Sequence, residues 1–374
     1  MKQLALLEQQ YPGQLEEREE DEDKRGVPDG WIFDEKSRWC VFIETKVLIK
    51  LTASQIERHR GTAIRRGYAV IKPVVILPRS TISLPDDIAV LEWRDVYAWL
   101  VTKRTKSEWA MRLANYLEVI ERKLIGTKQF REDTLTKFAG FPFSADEPYT
   151  YLEGKRLLNL AMDELRQRPT LRRKLGVNPN HKGRGAITGR RGDAVWDFLS
   201  LSKAGNKELF TRDPHLTLGI TSRNVEVTLT LPNGLDGSMR AALKELGPAG
   251  FVELLAAVLK TLRPILRKHK GAMPFVRGVQ RRYPSQRAQP FIDARIDFDL
   301  RTAVPSKDKP KLQPVWASAA YDAFVRKRGS NYQMQIGVLF FYERCKEVAH
   351  DDALDLVEQS WLACAPLVSL MNRR

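Results

Sequence analysis

The chain has 374 residues, a net charge of +16 and 43% hydrophobic residues, which is typical of a globular protein with about two domains. No apolar run approaches the roughly 20 residues that a membrane-spanning helix needs, and the first ten residues lack the pattern of a secretion signal. The widely spaced cysteines, Cys40, Cys345 and Cys364, offer neither a disulfide framework nor a zinc knuckle. We therefore expect a cytoplasmic protein that does not bind membranes.

A hairpin is the first structure that the sequence predicts with a clear pattern. Residues 26–30 form a turn, and residues 31–33 are aromatic and β-branched, as in a strand. The polar residues 34–38 read as the hairpin loop. The nearly continuous apolar run at 39–48 predicts a partner strand that is buried on both faces.

A helix and a further strand follow this hairpin. Thr52 or Ser54 can cap a helix that reaches about residue 66, and Gly67 is placed to end it. The run at 70–77 predicts the next strand. Hairpin, helix and strand in this order are typical of an α/β unit.

The rest of the chain predicts a second domain of the α+β class. Helices at 92–101 and 107–124 lead out of the first domain, so we place the boundary near residue 128 and expect domains at 1–128 and 129–374. Predicted helices of the second domain cover 152–167, 239–269 with a break near Gly247, and 351–371. Its predicted strands cover 214–221, 224–231, 291–299 and 332–341.

Positive charge is concentrated in this second domain. Residues 1–128 contain 22 Lys and Arg against 20 Asp and Glu, a net charge of +2, which leaves +14 for residues 129–374. Such an excess favours a polyanionic partner, because each neutralised phosphate releases condensed counterions. A surface adjusted for solubility and an anionic membrane are the alternatives that charge alone leaves open.

Two arginine-rich stretches carry much of this charge. Arg172 and Arg173 lie in the first stretch, and Arg281 and Arg282 lie in the second, which we expect to run from a helix end into a loop that contains Phe275. Arginine suits bidentate contact with phosphate. We therefore expect these four arginines to contact nucleic acid, with DNA as the favoured partner.

Asp29, Glu44 and Lys46 form the constellation that carries chemistry. Glu44 and Lys46 are spaced i, i+2 on a strand, so both side chains emerge from one face, and the hairpin can fold Asp29 back against Glu44. Carboxylate oxygens suit Mg²⁺ or Mn²⁺, and such a cation can activate water for phosphodiester hydrolysis. Lys46 would orient the water or neutralise charge at the phosphate.

The run from Val27 to Phe33, followed by Val41 to Lys46, resembles the PD-(D/E)XK nuclease superfamily over residues 1–101. That family carries Pro-Asp at the start of one strand and acid-x-Lys on the next, here Pro28-Asp29 and Glu44-Thr45-Lys46. The resemblance implies an α/β fold with a mixed sheet flanked by helices. It also implies an Mg²⁺-dependent endonuclease with Asp29 and Glu44 as metal ligands, and analogy suggests restriction or antiviral defence.

Further positions follow from the same resemblance. The family often has an acid on its first helix that completes the metal site, and Glu8 is the best-placed candidate. Some members use Gln-x-x-x-Tyr on the second helix to contact phosphate; here Gln55, Arg58 and His59 share a helix face, with His59 in place of the Tyr. A solvated helix face is the alternative for these three residues.

Other catalytic classes find no support in the sequence. It lacks an H-E-x-x-H zinc motif, a phosphate-binding G-x-x-x-x-G-K-[ST] loop and a G-x-S-x-G elbow. The rival to a nuclease is a non-catalytic subunit that binds nucleic acid or acts as a scaffold in a larger complex. A protein partner or a homo-oligomer is compatible with either function.

Overall fold

Helices and strands alternate along the chain, and the strands form two separate sheets in the computed structural model, which defines a mixed α/β protein. Contacts divide the chain into two units, Met1–Lys137 and Phe138–Arg374. No helix among the described residues is long and apolar enough to cross a membrane. The structure describes residues 27–48, 51–79, 84–130, 133–181, 183, 194–201, 211–235, 237–285, 290–303, 314–325 and 331–371.

The first unit is built on a four-stranded sheet with the order β1-β2-β3-β4. Strands β1 and β2 are antiparallel, whereas β2, β3 and β4 run parallel to one another. Helix α1 connects β2 to β3, so the predicted hairpin, helix and strand are all present. The elements are β1 (Gly30–Asp34), β2 (Trp39–Thr45), α1 (Ala53–Arg65), β3 (Val70–Leu77), β4 (Ala89–Glu92), α2 (Trp93–Lys103) and α3 (Glu108–Gly126).

Strand β2 is buried on one face only. Cys40, Phe42 and Glu44 are buried, whereas the side chains between them are half-buried. The prediction of burial on both faces was wrong because apolar residues such as Val41 and Ile43 suit a pleated strand even where solvent reaches them. The buried face belongs to the core that includes Ile56 of α1. Glu44 is thus a carboxylate on an otherwise apolar surface.

The first unit ends at Lys137, rather than near residue 128 as the sequence suggested. Glu121 of α3 is fully buried, and its carboxylate accepts hydrogen bonds from the backbone N–H groups of Leu135 at 2.5 Å and Thr136 at 2.9 Å. The Thr136 hydroxyl donates a third bond at 2.5 Å. Charge-assisted bonds to a buried acid are strong, so they hold the segment after α3 against that helix.

The second unit contains a six-stranded sheet with the order β5-β6-β7-β10-β8-β9, in which all neighbouring strands are antiparallel. Its strands are β5 (Ala194–Ser200), β6 (His215–Thr221), β7 (Asn224–Leu231), β8 (Ala272–Arg282), β9 (Phe291–Asp299) and β10 (Tyr332–Phe341). Its helices are α4 (Tyr151–Gln167), α5 (Pro169–Leu175), α6 (Gly237–Lys268), α7 (Leu300–Ala303), α8 (Pro314–Val325), α9 (Ala353–Leu362) and α10 (Ala365–Met371), with a 3₁₀ turn at Lys346–Ala349.

One face of this sheet forms the main apolar core with the helices. On β7, Val225, Val227 and Leu229 point into that core, and Glu226 and Thr228 point to the opposite, polar face. The alternation follows from the two-residue period of a strand. Helix α6 is interrupted at Gly247, whose φ of 71° and ψ of 174° are not helical, as the sequence predicted.

The expected loop around Phe275 is instead strand β8. Phe275 is fully buried, and β8 pairs with both β10 and β9. The sequence prediction was wrong here because Arg277 and Arg281, which lie on the polar face, obscure the apolar alternation. Strand β5 and helix α8 were also not predicted.

Candidate active site

Asp29 and Glu44 lie opposite each other across the β1–β2 hairpin. The register pairs Gly30 with Ile43, and one further step places Asp29 beside Glu44. Oδ2 of Asp29 accepts hydrogen bonds from the backbone N–H and the hydroxyl of Thr45, each at 2.7 Å. Thr45, the middle residue of Glu-Thr-Lys, therefore fixes Asp29 against the end of β2.

Lys46 is held in place by its backbone as well as by its side chain. Its N–H donates to the carbonyl oxygen of Ile76 at 2.9 Å, and its own carbonyl accepts from Nε1 of Trp93 at 3.0 Å. Its ammonium donates a short hydrogen bond to Oε1 of Glu44. Two neighbouring elements, β3 and α2, thus position the ammonium at the end of β2.

Glu44 is an acid within the core of the first unit. Only 3% of the residue is exposed, because it shares the inner face of β2 with Cys40 and Phe42. Burying a carboxylate is costly unless a charge or hydrogen bond compensates it. Its compensating neighbours are Lys46 on one oxygen and His59 on the other.

His59 of α1 reaches the same carboxylate from the helix that covers the sheet. Its Nε2 lies 3.3 Å from Oε2 of Glu44, and its ring stands edge-on to Phe42 at 5.8 Å between centroids. Burial lowers the pKa of His59 below its usual value of 6.5, while the Glu44 carboxylate acts in the opposite direction. The imidazole is therefore neutral at pH 7, and its buried Nδ1 has no hydrogen-bond partner among the described residues.

Gln55, Arg58 and His59 do not form one phosphate-binding face. The Gln55 side chain accepts from the N–H of Thr52 at 3.1 Å and completes a capping box at the start of α1. Arg58 is exposed, and its Nε donates to the carbonyl of Ser54 at 3.3 Å. His59 is 3% exposed, so it can act on Glu44 but cannot contact a phosphate from solvent. Because α1 packs on the sheet, these neighbouring positions have different surroundings.

The carboxylates of the hairpin suit a hard cation. Asp29 is exposed, and its Oδ1 makes no hydrogen bond to any described residue. Glu44 offers Oε1, which accepts the hydrogen bond from Lys46. Mg²⁺ prefers such oxygen ligands and keeps several waters. The donor set therefore fits, with Asp29 and Glu44 as the residues that would hold the ion. Glu8, the expected third ligand, lies outside the described residues.

The four arginines predicted to contact nucleic acid lie in the second unit in three different settings. Arg172 and Arg173 are exposed on α5. Arg282 is also exposed, but it pairs with Asp293 at 3.4 Å. Arg281 is half-buried and donates to Oε1 of Gln333 at 2.9 Å. Burial lowers the pKa of Arg281, and the nearby Arg277 and Arg295 act in the same direction.

Arg281 lines a cavity of about 400 Å³ on the polar face of the six-stranded sheet. Arg277 lies beside it and pairs with Glu226 at 3.0 Å and Asp297 at 3.1 Å. This cavity was not predicted, because its lining residues come from β5, β6, β7, β8 and β10. Only the alternation of polar residues on β6 and β7 could have indicated it.

Neither the protein-family models nor the curated proteins give a match to this chain.

Proposed function

We propose that the first unit is a metal-dependent endonuclease that hydrolyses phosphodiester bonds, with DNA as the favoured substrate. The observation that carries this proposal is the buried Glu44 carboxylate, which contacts Lys46 and lies across the hairpin from the exposed Asp29. Such a group is costly to bury without a purpose. An acid pair with an ammonium beside it matches the needs of phosphoryl chemistry.

Each side chain has a distinct role in this proposal. Asp29 and Glu44 would hold Mg²⁺ or Mn²⁺, and the bound ion supplies an acidified water and charge neutralisation at the phosphate. Lys46 donates to the Glu44 carboxylate, and its side chain is 14% exposed. Its ammonium can therefore also reach an anion at the open end of the hairpin, beside Asp29. Thr45 orients Asp29 through two hydrogen bonds.

The second unit would supply the nucleic-acid contacts. Its sequence carries most of the net charge of +16, and Arg172 and Arg173 are exposed on α5. Phosphate contacts of this kind bind without regard to sequence. A cytoplasmic role in restriction or antiviral defence would suit the pairing of a nuclease with a basic unit, and it rests on family analogy.

A non-catalytic scaffold or nucleic-acid-binding subunit is the second candidate. The observation in its favour is that both oxygens of Glu44 already have neighbours, Lys46 and His59. An ion pair with a purely structural role on a buried strand would have the same geometry. Such a protein would bind nucleic acid in a complex, through a protein partner or as a homo-oligomer, without cutting it.

Cleavage assays on the full chain separate the two candidates. Supercoiled plasmid, labelled single- and double-stranded DNA, and RNA are incubated with wild-type protein in Mg²⁺, Mn²⁺ or EDTA. We expect cleavage with either cation and none with EDTA. Lys46→Ala should lose it, while the matched control Lys36→Ala, on the exposed hairpin loop, should retain it. Binding without metal-dependent cleavage by wild-type protein would favour the scaffold.

A further inference from the structure

Three side chains with metal-binding atoms meet in the second unit, far in sequence from the hairpin. His269 follows the end of α6, Cys345 follows β10, and Glu347 belongs to the 3₁₀ turn after it. Among the described residues, these form the group of histidine, cysteine and acid whose ligand atoms all lie within 4.8 Å of one another. The cluster takes no part in the function proposed above.

The pairing of β8 with β10 brings the cluster together. Ala272 at the start of β8 lies opposite Phe340 near the end of β10, so the segments before and after these residues meet at one sheet end. Gly271 permits the approach, because a Cβ there would lie 2.4 Å from the carbonyl carbon of Arg344. His269 and Cys345 are thereby fixed by secondary structure that is well separated in sequence.

The distances within the cluster suit a tetrahedral site. Nδ1 of His269 lies 3.1 Å from Oε1 of Glu347, and Sγ of Cys345 lies 3.4 Å from Oε2 of the same residue. Ligand atoms bound to zinc at its usual bond lengths are separated by about 3.4–3.6 Å in a tetrahedron. The three ligand atoms all lie within 4.8 Å of one another, so the side chains need only rotate toward a shared centre to close such a site.

Burial and pairing also point to a ligand. His269 is 3% exposed, and its Nδ1 has no partner of hydrogen-bond geometry in the described part of the chain, although Glu347 is close. Cys345 is fully buried. Within the described residues, no lysine or arginine forms an ion pair with Glu347. Glu347 is 40% exposed, which leaves an approach from solvent.

We propose that His269, Cys345 and Glu347 bind a zinc ion, with a water as the fourth ligand on the side of Glu347. A thiolate and an imidazole select zinc over Mg²⁺, which prefers oxygen ligands alone. Zinc binding releases the thiol proton of Cys345 to solvent as the sulfur–metal bond forms.

Cobalt(II) is a suitable probe, because a thiolate bound to it gives a charge-transfer absorption band that oxygen ligands do not give. The apo full-length protein is titrated with Co²⁺, and zinc affinity is then measured by competition with a chromophoric chelator. We expect one equivalent of Co²⁺ with the thiolate band, displaced by zinc. Cys345→Ser should abolish the band, and Glu347→Gln, at the partly exposed position, should weaken zinc binding at least tenfold.

Two controls keep this test apart from the proposed nuclease site. Cys364→Ser changes a buried cysteine outside the cluster and should retain the band. Asp29→Asn with Glu44→Gln should also retain it, since the hairpin contributes no sulfur ligand in our proposal. If wild-type protein gives no thiolate band, or if folded Glu347→Gln and Cys345→Ser bind zinc as wild type does, the zinc site is wrong and the nuclease proposal is unaffected.

Discussion

Nε2 of His59 lies 3.3 Å from Oε2 of Glu44, and both residues are 3% exposed. Helix α1 therefore contacts the central carboxylate of the candidate site from within the core. In the proposed nuclease, His59 is a positioning residue. It fixes one oxygen of Glu44, so that the other oxygen faces Lys46. Such neighbours of a metal ligand commonly tune both geometry and affinity.

We predict that His59→Ala lowers the cleavage rate by about 10- to 100-fold and raises the Mg²⁺ concentration needed for half-maximal activity. His59→Gln should recover part of the activity, because its amide can donate to Glu44. Glu57→Ala is the matched control, since Glu57 is exposed on the same helix, and it should behave as wild type. An unchanged Mg²⁺ requirement in folded His59→Ala would show that the contact is structural only.

Asp29 and Thr45 allow a graded test of the hairpin. Asp29→Ala, Glu44→Ala and Lys46→Ala should each abolish cleavage with the fold intact, a loss of at least about 100-fold. Thr45→Val removes the hydroxyl bond to Asp29 but keeps the backbone bond, so about a tenfold loss is expected. Rates are measured as the conversion of supercoiled plasmid to the nicked form, with circular dichroism to check folding. Wild-type rates in Lys46→Ala would refute the catalytic assignment.

The hairpin was predictable because its signals are local. Pro28-Asp29 predicts a turn before the first strand, and Glu44 and Lys46 are spaced to share a strand face, so the sequence alone brings three of the site residues together. The contact between His59 and Glu44 was not predictable, because it depends on how α1 packs over the sheet. The contact between Thr45 and Asp29 could have been predicted. Thr45 follows Glu44, the residue opposite Asp29, and a threonine there can donate from both its backbone and its hydroxyl.

The second unit was less predictable, because much of its structure depends on contacts between residues that are far apart in the sequence. Strands β7, β9 and β10 were placed correctly, because their residues alternate in polarity or form uniform apolar runs. Strand β8 was missed because its polar face carries Arg277 and Arg281, whose partners Glu226 and Gln333 are on other strands. The His269–Cys345 cluster depends on the pairing of two strands, which no local pattern specifies.

Tyr332 gives a prediction about alkaline stability. Burial raises its pKa from 10 to about 12, and its hydroxyl has no partner among the described residues. A group whose pKa is higher in the folded state stabilises the protein fully below pH 10, and this contribution is lost as pH rises through 12. The unfolding free energy should therefore fall above pH 10, and Tyr332→Phe should reduce that slope.

The measurement for Tyr332 is denaturant unfolding of the second unit, followed by fluorescence from about pH 8, below the range where the linkage acts, to about pH 11, within that range. At neutral pH, Tyr332→Phe should change stability by no more than about 1 kcal/mol, because the hydroxyl that it removes is unpaired. Tyr283→Phe removes an exposed hydroxyl and serves as the control. Identical slopes in wild type and Tyr332→Phe would contradict the prediction.

Gly337 of β10 should not tolerate a side chain. A Cβ at this position would lie 1.9 Å from the carbonyl oxygen of Val227 and 2.8 Å from Cα of Thr228, both backbone atoms of β7. The strands must therefore separate locally, and we expect Gly337→Ala to destabilise the second unit by about 3 kcal/mol. Gly61→Ala is a control on α1, where the nearest neighbour is the flexible end of Arg65 at 3.5 Å. Equal melting temperatures for wild type and Gly337→Ala would contradict the close packing of these strands.

Arg172 and Arg173 should dominate phosphate contact over Arg282. The first two are exposed on α5, whereas the charge of Arg282 is partly compensated by Asp293 at 3.4 Å. In the Lys46→Ala background, reversing Arg172 and Arg173 to Glu should weaken DNA binding for all sequences alike. It should also reduce the salt slope by about two, one for each lost contact.

Arg282→Glu alone should have a smaller effect, and joint reversal of Arg281 and Arg282 tests the second stretch. Affinity is measured at several salt concentrations, and metal binding at the hairpin should stay unchanged. If both double variants keep the wild-type affinity and slope, the positive charge serves solubility or a protein partner, and the scaffold becomes the better proposal.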